Sequence, residues 1–141
     1  MTLLRRSIRV PGMSERRKDE YGTAPVPDGA QVGNVVCSSP ILGRDPETGL
    51  LPERPDEQAL VMFNNIRRFM EQAGATVEQI VQVTLLVQNQ EHHASVNKAW
   101  RAMFPDPANR PARVVLYHQR DKGGSSVSSG PLFEMTVLAV V

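Results

Sequence analysis

The run "IVQVTLLVQ", Ile80 to Gln88, decides how the rest of the chain is arranged. It is the longest stretch of β-type residues in the sequence, which predicts a central strand. Helical patterns lie on both sides of it. Upstream, Ala59, Met62, Phe63, Ile66, Phe69, Met70 and Ala73 recur at spacings of three and four. They predict a helix from about Asp56 to Ala73 with one buried stripe. Asp56 is its N-cap candidate, and Gly74 stands where the helix should stop. A Met/Phe stripe of this kind packs a core; it is not read as a cofactor box. Between that helix and the run, "TVEQ" at Thr76 to Gln79 matches a capping box and predicts one helical turn. Downstream, Val96, Ala99, Trp100 and Met103 form the inner face of a second helix, from about Glu91 to Met103, which must end before Pro105.

Working outward, four further segments read as strands. "LLRRSIRV" (Leu3 to Val10) suits a short edge strand, and "NVVCSSPIL" (Asn34 to Leu42) a buried one. "ARVVLYHQ" and "PLFEMTVLAVV" supply the last two. The order is β, β, α, β, α, β, β, which predicts an α+β domain with a mixed sheet and both helices packed on one of its faces. Several strands are apolar on nearly every residue, as in sheets buried on both faces. Self-association into a closed homo-oligomer would cover the second face. The polar stretches "PGMSERRKDEYGTAPVPDGAQVGN" and "RDKGGSSVSSG" read as loops. The first includes most of an N-terminal extension over residues 1–22, expected to be mobile.

At 141 residues, 40% hydrophobic and 22% charged, the chain reads as a single globular domain over residues 1–141. A net charge of +1 gives no case for an obligatory nucleic-acid or membrane partner. The cluster Arg16, Arg17 and Lys18 is answered at once by Asp19 and Glu20, as on a solvated face. The start "MTLLRRSIRVPG" lacks a signal-peptide core and nothing downstream approaches a membrane span, so a cytoplasmic location is expected. Cys37, the single cysteine, allows no internal disulfide and reads as a small buried hydrophobe in its strand. His92 and His93 are adjacent at a helix start, point about 100° apart and cannot clamp one ion by themselves. They read as solvent-exposed polar residues. No phosphate-cradling loop is present, and no cofactor or metal is implied.

Two polar features remain. In a strand entered at Arg113, the two-residue period puts Arg113, Val115 and Tyr117 on one face. In the last strand Glu134 and Thr136 share a face. If these two strands pair antiparallel, an arginine and a carboxylate converge in one cleft, and a guanidinium fork is well suited to hold a carboxylate ligand. A plain cross-strand ion pair between Arg113 and Glu134 fits the same spacing.

The whole pattern resembles the RidA/YjgF family of reactive-intermediate deaminases, also called "endoribonuclease L-PSP" proteins. The resemblance runs from about Gly33 to Val141, through "VGNVVCSSPIL", "DPETG", "EQALVMFNNIRRFMEQAGAT", "IVQVTLLVQ", "VNKAWRAMFPD", "RPARVVL" and "FEMTVLAVV". It implies a chorismate-mutase-like fold assembled as a homotrimer around a central barrel, with clefts between subunits. It also implies a small-molecule carboxylate substrate: an enamine or imine hydrolysed to a keto acid and ammonia. By position, Arg113 would anchor the carboxylate, while Asn97, Ser38 and Ser39 would face the ligand, Ser39 replacing a family glycine. The family glutamate that positions water falls on Thr136, leaving Glu134 one pleat earlier on the same face. Val26 and Val115 replace a family tyrosine and cysteine, and Tyr117 could restore polarity on the arginine face. With the long loop from Asp121 to Gly130, these departures imply a specificity altered from 2-aminoacrylate toward a larger, aminomuconate-like substrate. A non-catalytic trimer that binds small carboxylates or a protein partner is the rival reading. Ribonuclease activity, sometimes ascribed to the family, is disfavoured by the charge balance and by the lack of an aromatic-basic surface.

Overall fold

The computed structural model describes residues 3–13, 25–117 and 130–141. The strands are β1 (Arg5–Ile8), β2 (Gly29–Val32), β3 (Val35–Ser38), β4 (Ile41–Leu42), β5 (Ile80–Val87), β6 (Ala112–Tyr117) and β7 (Phe133–Val140). The helices are α1 (Pro55–Gln72) and α2 (His93–Met103). All the strands join one sheet in the order β1-β2-β3-β7-β5-β6, with β4 also on β7. The expected mixed sheet is present: β5 pairs antiparallel with β7 and parallel with β6. The parallel pair needs a crossover, which α2 supplies.

Alternation along the central strands sorts their residues onto two unlike faces. Val83, Leu85 and Val87 of β5, and Phe133, Met135, Val137 and Ala139 of β7, are buried beneath the helices. From α1, Met62, Phe63, Ile66, Phe69 and Met70 meet them, so the stripe legible in the sequence is the core. Gly29 lets α1 approach the sheet closely: a Cβ there would collide with the Phe69 ring and the Cys37 carbonyl. On the other face no described element lies over the sheet, and Val32, Val35, Val114, Leu116 and Val140 are exposed. Two-sided burial is therefore not achieved by the described residues of one copy. Cys37, read as buried, is exposed on that open face.

Several boundaries differ from the sequence reading. The first long loop contains β2, which forms a hairpin with β3 around Gly33 at φ 58°. The segment Asn34 to Leu42 is two strands, not one. Between the pairs Cys37–Leu138 and Ile41–Met135, residues Ser38, Ser39 and Pro40 face only Thr136 and Val137. That surplus is a bulge, and Pro40 has no N–H to offer the ladder. Helix α1 begins with Pro55 at its first position and Arg54 at its N-cap; Asp56 lies in the first turn instead. Its carboxylate accepts from Ser95 Oγ and Lys98 Nζ, tying the start of α1 to α2. Gly74, at φ 77°, follows the end of α1 as expected. The capping box forms around Val77–Gln79. Helix α2 is preceded by a short 3-10 turn, Gln90–His92, whose Glu91 N–H donates to Asn89 Oδ1. All of the loop Asp121 to Gly130 except Gly130 lies outside the described residues, as does half of the extension over residues 1–22, whose residues 3–13 carry β1.

Candidate functional site

Arg113 enters β6 beside Val83 of β5, on the helix-covered side of the sheet. Because β6 is the last strand, its covered side meets the flank of α2 rather than the middle of the core. His93, Asn97 and Trp100 recur along that flank at helical spacing, and all three touch the guanidinium. Nη1 donates to Asn97 Oδ1 at 3.0 Å. Nη2 lies 3.2 Å from His93 Nε2. The guanidinium carbon stands 5.0 Å from the centre of the buried Trp100 ring, within cation–π range. Arg110, just ahead of the strand, donates from Nε to the Phe104 carbonyl and pins the end of α2.

These contacts fix the fork without neutralising it. Among the described residues no carboxylate forms an ion pair with Arg113. Burial pushes its pKa below the ordinary arginine value; Tyr117 opposes that shift and the like charge of Arg110 adds to it. A guanidinium remains charged under such a shift, so the pocket holds a partly desolvated cation with unused donors. That is the electrostatic condition for binding an anion.

His93 was expected to be an exposed polar residue, and this is corrected: it bridges Arg113 and Tyr117, whose Oη lies 2.8 Å from His93 Nδ1. The spacing of His93, Asn97 and Trp100 along one helix face was visible in the sequence. Weighing His93 only against His92 as a metal ligand concealed it. Among the described residues no group of three or more histidines, cysteines, aspartates or glutamates could hold a metal ion.

The expected convergence of Arg113 with Glu134 does not occur within one copy. Strand β5 separates β6 from β7. Glu134 pairs with Leu86 and Thr136 with Thr84, residues of the open face, whereas Arg113 pairs with Val83 of the covered face. The cross-strand ion pair is excluded for the same reason. A period of two orders residues within a strand but does not say which strand is the neighbour.

Ser38 and Ser39 lie at the bulge that adjoins Thr136. Val137 N–H, which the bulge deprives of a ladder partner, donates to Ser38 Oγ at 2.9 Å. Ser39 donates from Oγ to the Pro27 carbonyl and from its N–H to the Asp28 carbonyl. Both serines are partly buried. The site residues thus form two groups. Arg113, Asn97, His93 and Tyr117 lie at the edge of the covered face; Ser38 and Ser39 lie at the bulge between β3 and β4, with Glu134 and Thr136 on the stretch of β7 beside it.

The family model described as Endoribonuclease L-PSP matches residues 22–141. The chain belongs to the RidA/YjgF family. A RutC family protein of Aquifex aeolicus is 34% identical over 98 residues, covering 66% of this chain and 78% of that one. The 2-iminobutanoate/2-iminopropanoate deaminase of Salmonella typhimurium is 33% identical, with 65% and 73% covered. Among solved structures, the YjgF gene product of E. coli superposes with a TM-score of 0.76 at 24% identity, over 96% of this chain and 98% of the other. E. coli TdcF with bound serine also reaches 0.76, at 21% identity, over 96% and 98%. At those identities the two structures establish the fold. No helix among the described residues is long and apolar enough to cross a membrane.

Proposed function

We propose that this RidA-family chain is an imine and enamine deaminase, hydrolysing a carboxylate-bearing reactive imine to a keto acid and ammonia. The observation that carries the reading is Arg113: a partly buried cation gripped by Asn97, His93 and Trp100, with no carboxylate of the described chain on its free donors. Relatives about one-third identical are named as deaminases of small imino acids, which supports the same reaction class here.

The chemistry asks little beyond placement. Arg113 holds the substrate carboxylate and fixes the imine carbon. Water adds to that electrophilic carbon, its proton passing to the imine nitrogen, and the resulting carbinolamine collapses with loss of ammonia. The enzyme contributes orientation and a proton acceptor for the water. Thr136 has no carboxyl, so Glu134 is the acceptor available on that strand, with Thr136 orienting the water.

Assembly belongs to this proposal. Glu134 and Thr136 lie on the opposite side of the sheet from Arg113, so a neighbouring copy must bring them to it. The exposed apolar residues Val114, Leu116 and Val140 give copies a reason to associate. A homotrimer whose open faces meet in a central barrel, with the sites in the clefts between single-domain subunits, satisfies both requirements. Specificity would depart from 2-aminoacrylate because Val26, Val115 and Thr136 replace the family tyrosine, cysteine and glutamate.

Thr136 favours a second reading, in which the trimer binds small carboxylates without turning them over. One assay separates the two. Generate 2-aminoacrylate and a longer enamino acid in situ, and follow ammonia release with wild type and Arg113→Ala. Accelerated release that Arg113→Ala reduces by roughly a hundredfold or more supports the enzyme. No acceleration on any imine, with Arg113-dependent binding of a keto acid, leaves the binding module.

A further inference from the structure

The contacts of Arg113 have a polarity that passes beyond it. A guanidinium can only donate, so His93 Nε2 must accept the 3.2 Å bond from Arg113 Nη2. The neutral ring then carries its hydrogen on Nδ1 and donates it to Tyr117 Oη at 2.8 Å. Tyr117 therefore spends a lone pair on His93 and keeps its own O–H hydrogen. Among the described residues nothing accepts that hydrogen, and the side chain is 44% exposed. From Arg113 through His93 to Tyr117, every donor is turned in one direction.

We propose that Tyr117, held as a donor by His93, is a specificity-determining residue that selects substrates with a second acceptor group beyond the α-carboxylate. This rests on the reading of Arg113 as the carboxylate anchor and names the substrate class of that site. The guanidinium takes one end of the ligand, and the phenol O–H, about one imidazole width further along β6, takes the other. The fitting ligand is a short carbon chain with a carboxylate at one end and a carboxylate or carbonyl at the other. Tyr117 is the contact; His93 is a positioning residue, because it sets the direction of the phenol hydrogen.

The test uses pairs of keto acids of equal length that differ only at the far end: 2-oxoglutarate with 2-oxopentanoate, and 2-oxoadipate with 2-oxohexanoate. Dissociation constants are measured by calorimetry on the assembled wild type and variants. In at least one pair the wild type should prefer the dicarboxylate, and Tyr117→Phe should shrink that preference roughly tenfold or more, as expected for losing one hydrogen bond to a charged group. His93→Gln, whose amide can accept from Arg113 and donate to Tyr117, should keep more of the preference than His93→Leu. An effect confined to overall affinity would indicate a structural role and overturn the proposal. So would a preference that Tyr117→Phe leaves intact in both pairs. Arg113→Ala separates this from the underlying reading: if binding of all four acids survives its loss, the anchor itself is wrong and this inference goes with it.

Discussion

The two faces of the sheet are built from alternate residues of the same strands, yet they are finished to different degrees. Beneath the helices, Phe133, Met135, Val137 and Ala139 are at most 3% exposed and packed by α1. One residue away along β7, Glu134, Thr136 and Leu138 are only partly covered, and Val140 is exposed. The covered face needs nothing further to be stable. The open face combines apolar residues with the polar groups expected to act on a substrate, and no described element of the chain lies over it.

The largest contrast is in folding stability. Phe69 is fully buried and packs directly over Gly29, so Phe69→Ala should destabilise by about 3–5 kcal/mol. Urea denaturation reads this as a lower midpoint at unchanged slope. An open-face change should act elsewhere. Leu116 is half exposed, and Leu116→Asp should leave secondary structure intact while shifting sedimentation from the trimer to the single chain. If Leu116→Asp sedimented as the wild type does, the proposed barrel would be wrong. The smallest effect concerns the outer surface of the helices. Hydrogen bonds from Ser95 and then Lys98 hold the exposed Asp56 carboxyl below its ordinary pKa. A depressed folded-state pKa contributes stability above the unfolded value, and that contribution is lost as pH falls through the folded one. Asp56→Asn should therefore lower the midpoint slightly at neutral pH and match wild type in strong acid. A difference that widened as the pH fell would contradict this.

What the sequence disclosed follows the same division. The covered face was legible because helix and strand periodicities agree there: the α1 stripe and the run Ile80 to Gln88 are the core. Strand β2 was not. "GAQV" has little β propensity, and Gly29 is present for the Phe69 ring. The break at Ser38, Ser39 and Pro40 was hidden inside an apolar run, although Pro40 cannot serve a ladder. Family resemblance pointed to Arg113 and Asn97, and the structure brings them together at 3.0 Å. The separation of Arg113 from Glu134 was beyond sequence reading, since it depends on β5 lying between their strands.

Mixed assembly tests most directly the claim that the site is divided between copies. Arg113→Ala lacks the anchor, and the double variant Glu134→Ala/Thr136→Ala lacks the water-positioning group; each alone should be inactive as keto-acid producer. Unfolded together in equal amounts and reassembled, they should regain activity, because random pairing places an intact anchor against an intact β7 at about a quarter of the interfaces of a closed trimer. Recovery near that fraction is the predicted result. Mixed oligomers that assemble fully yet regain nothing would contradict a site completed by the neighbouring copy.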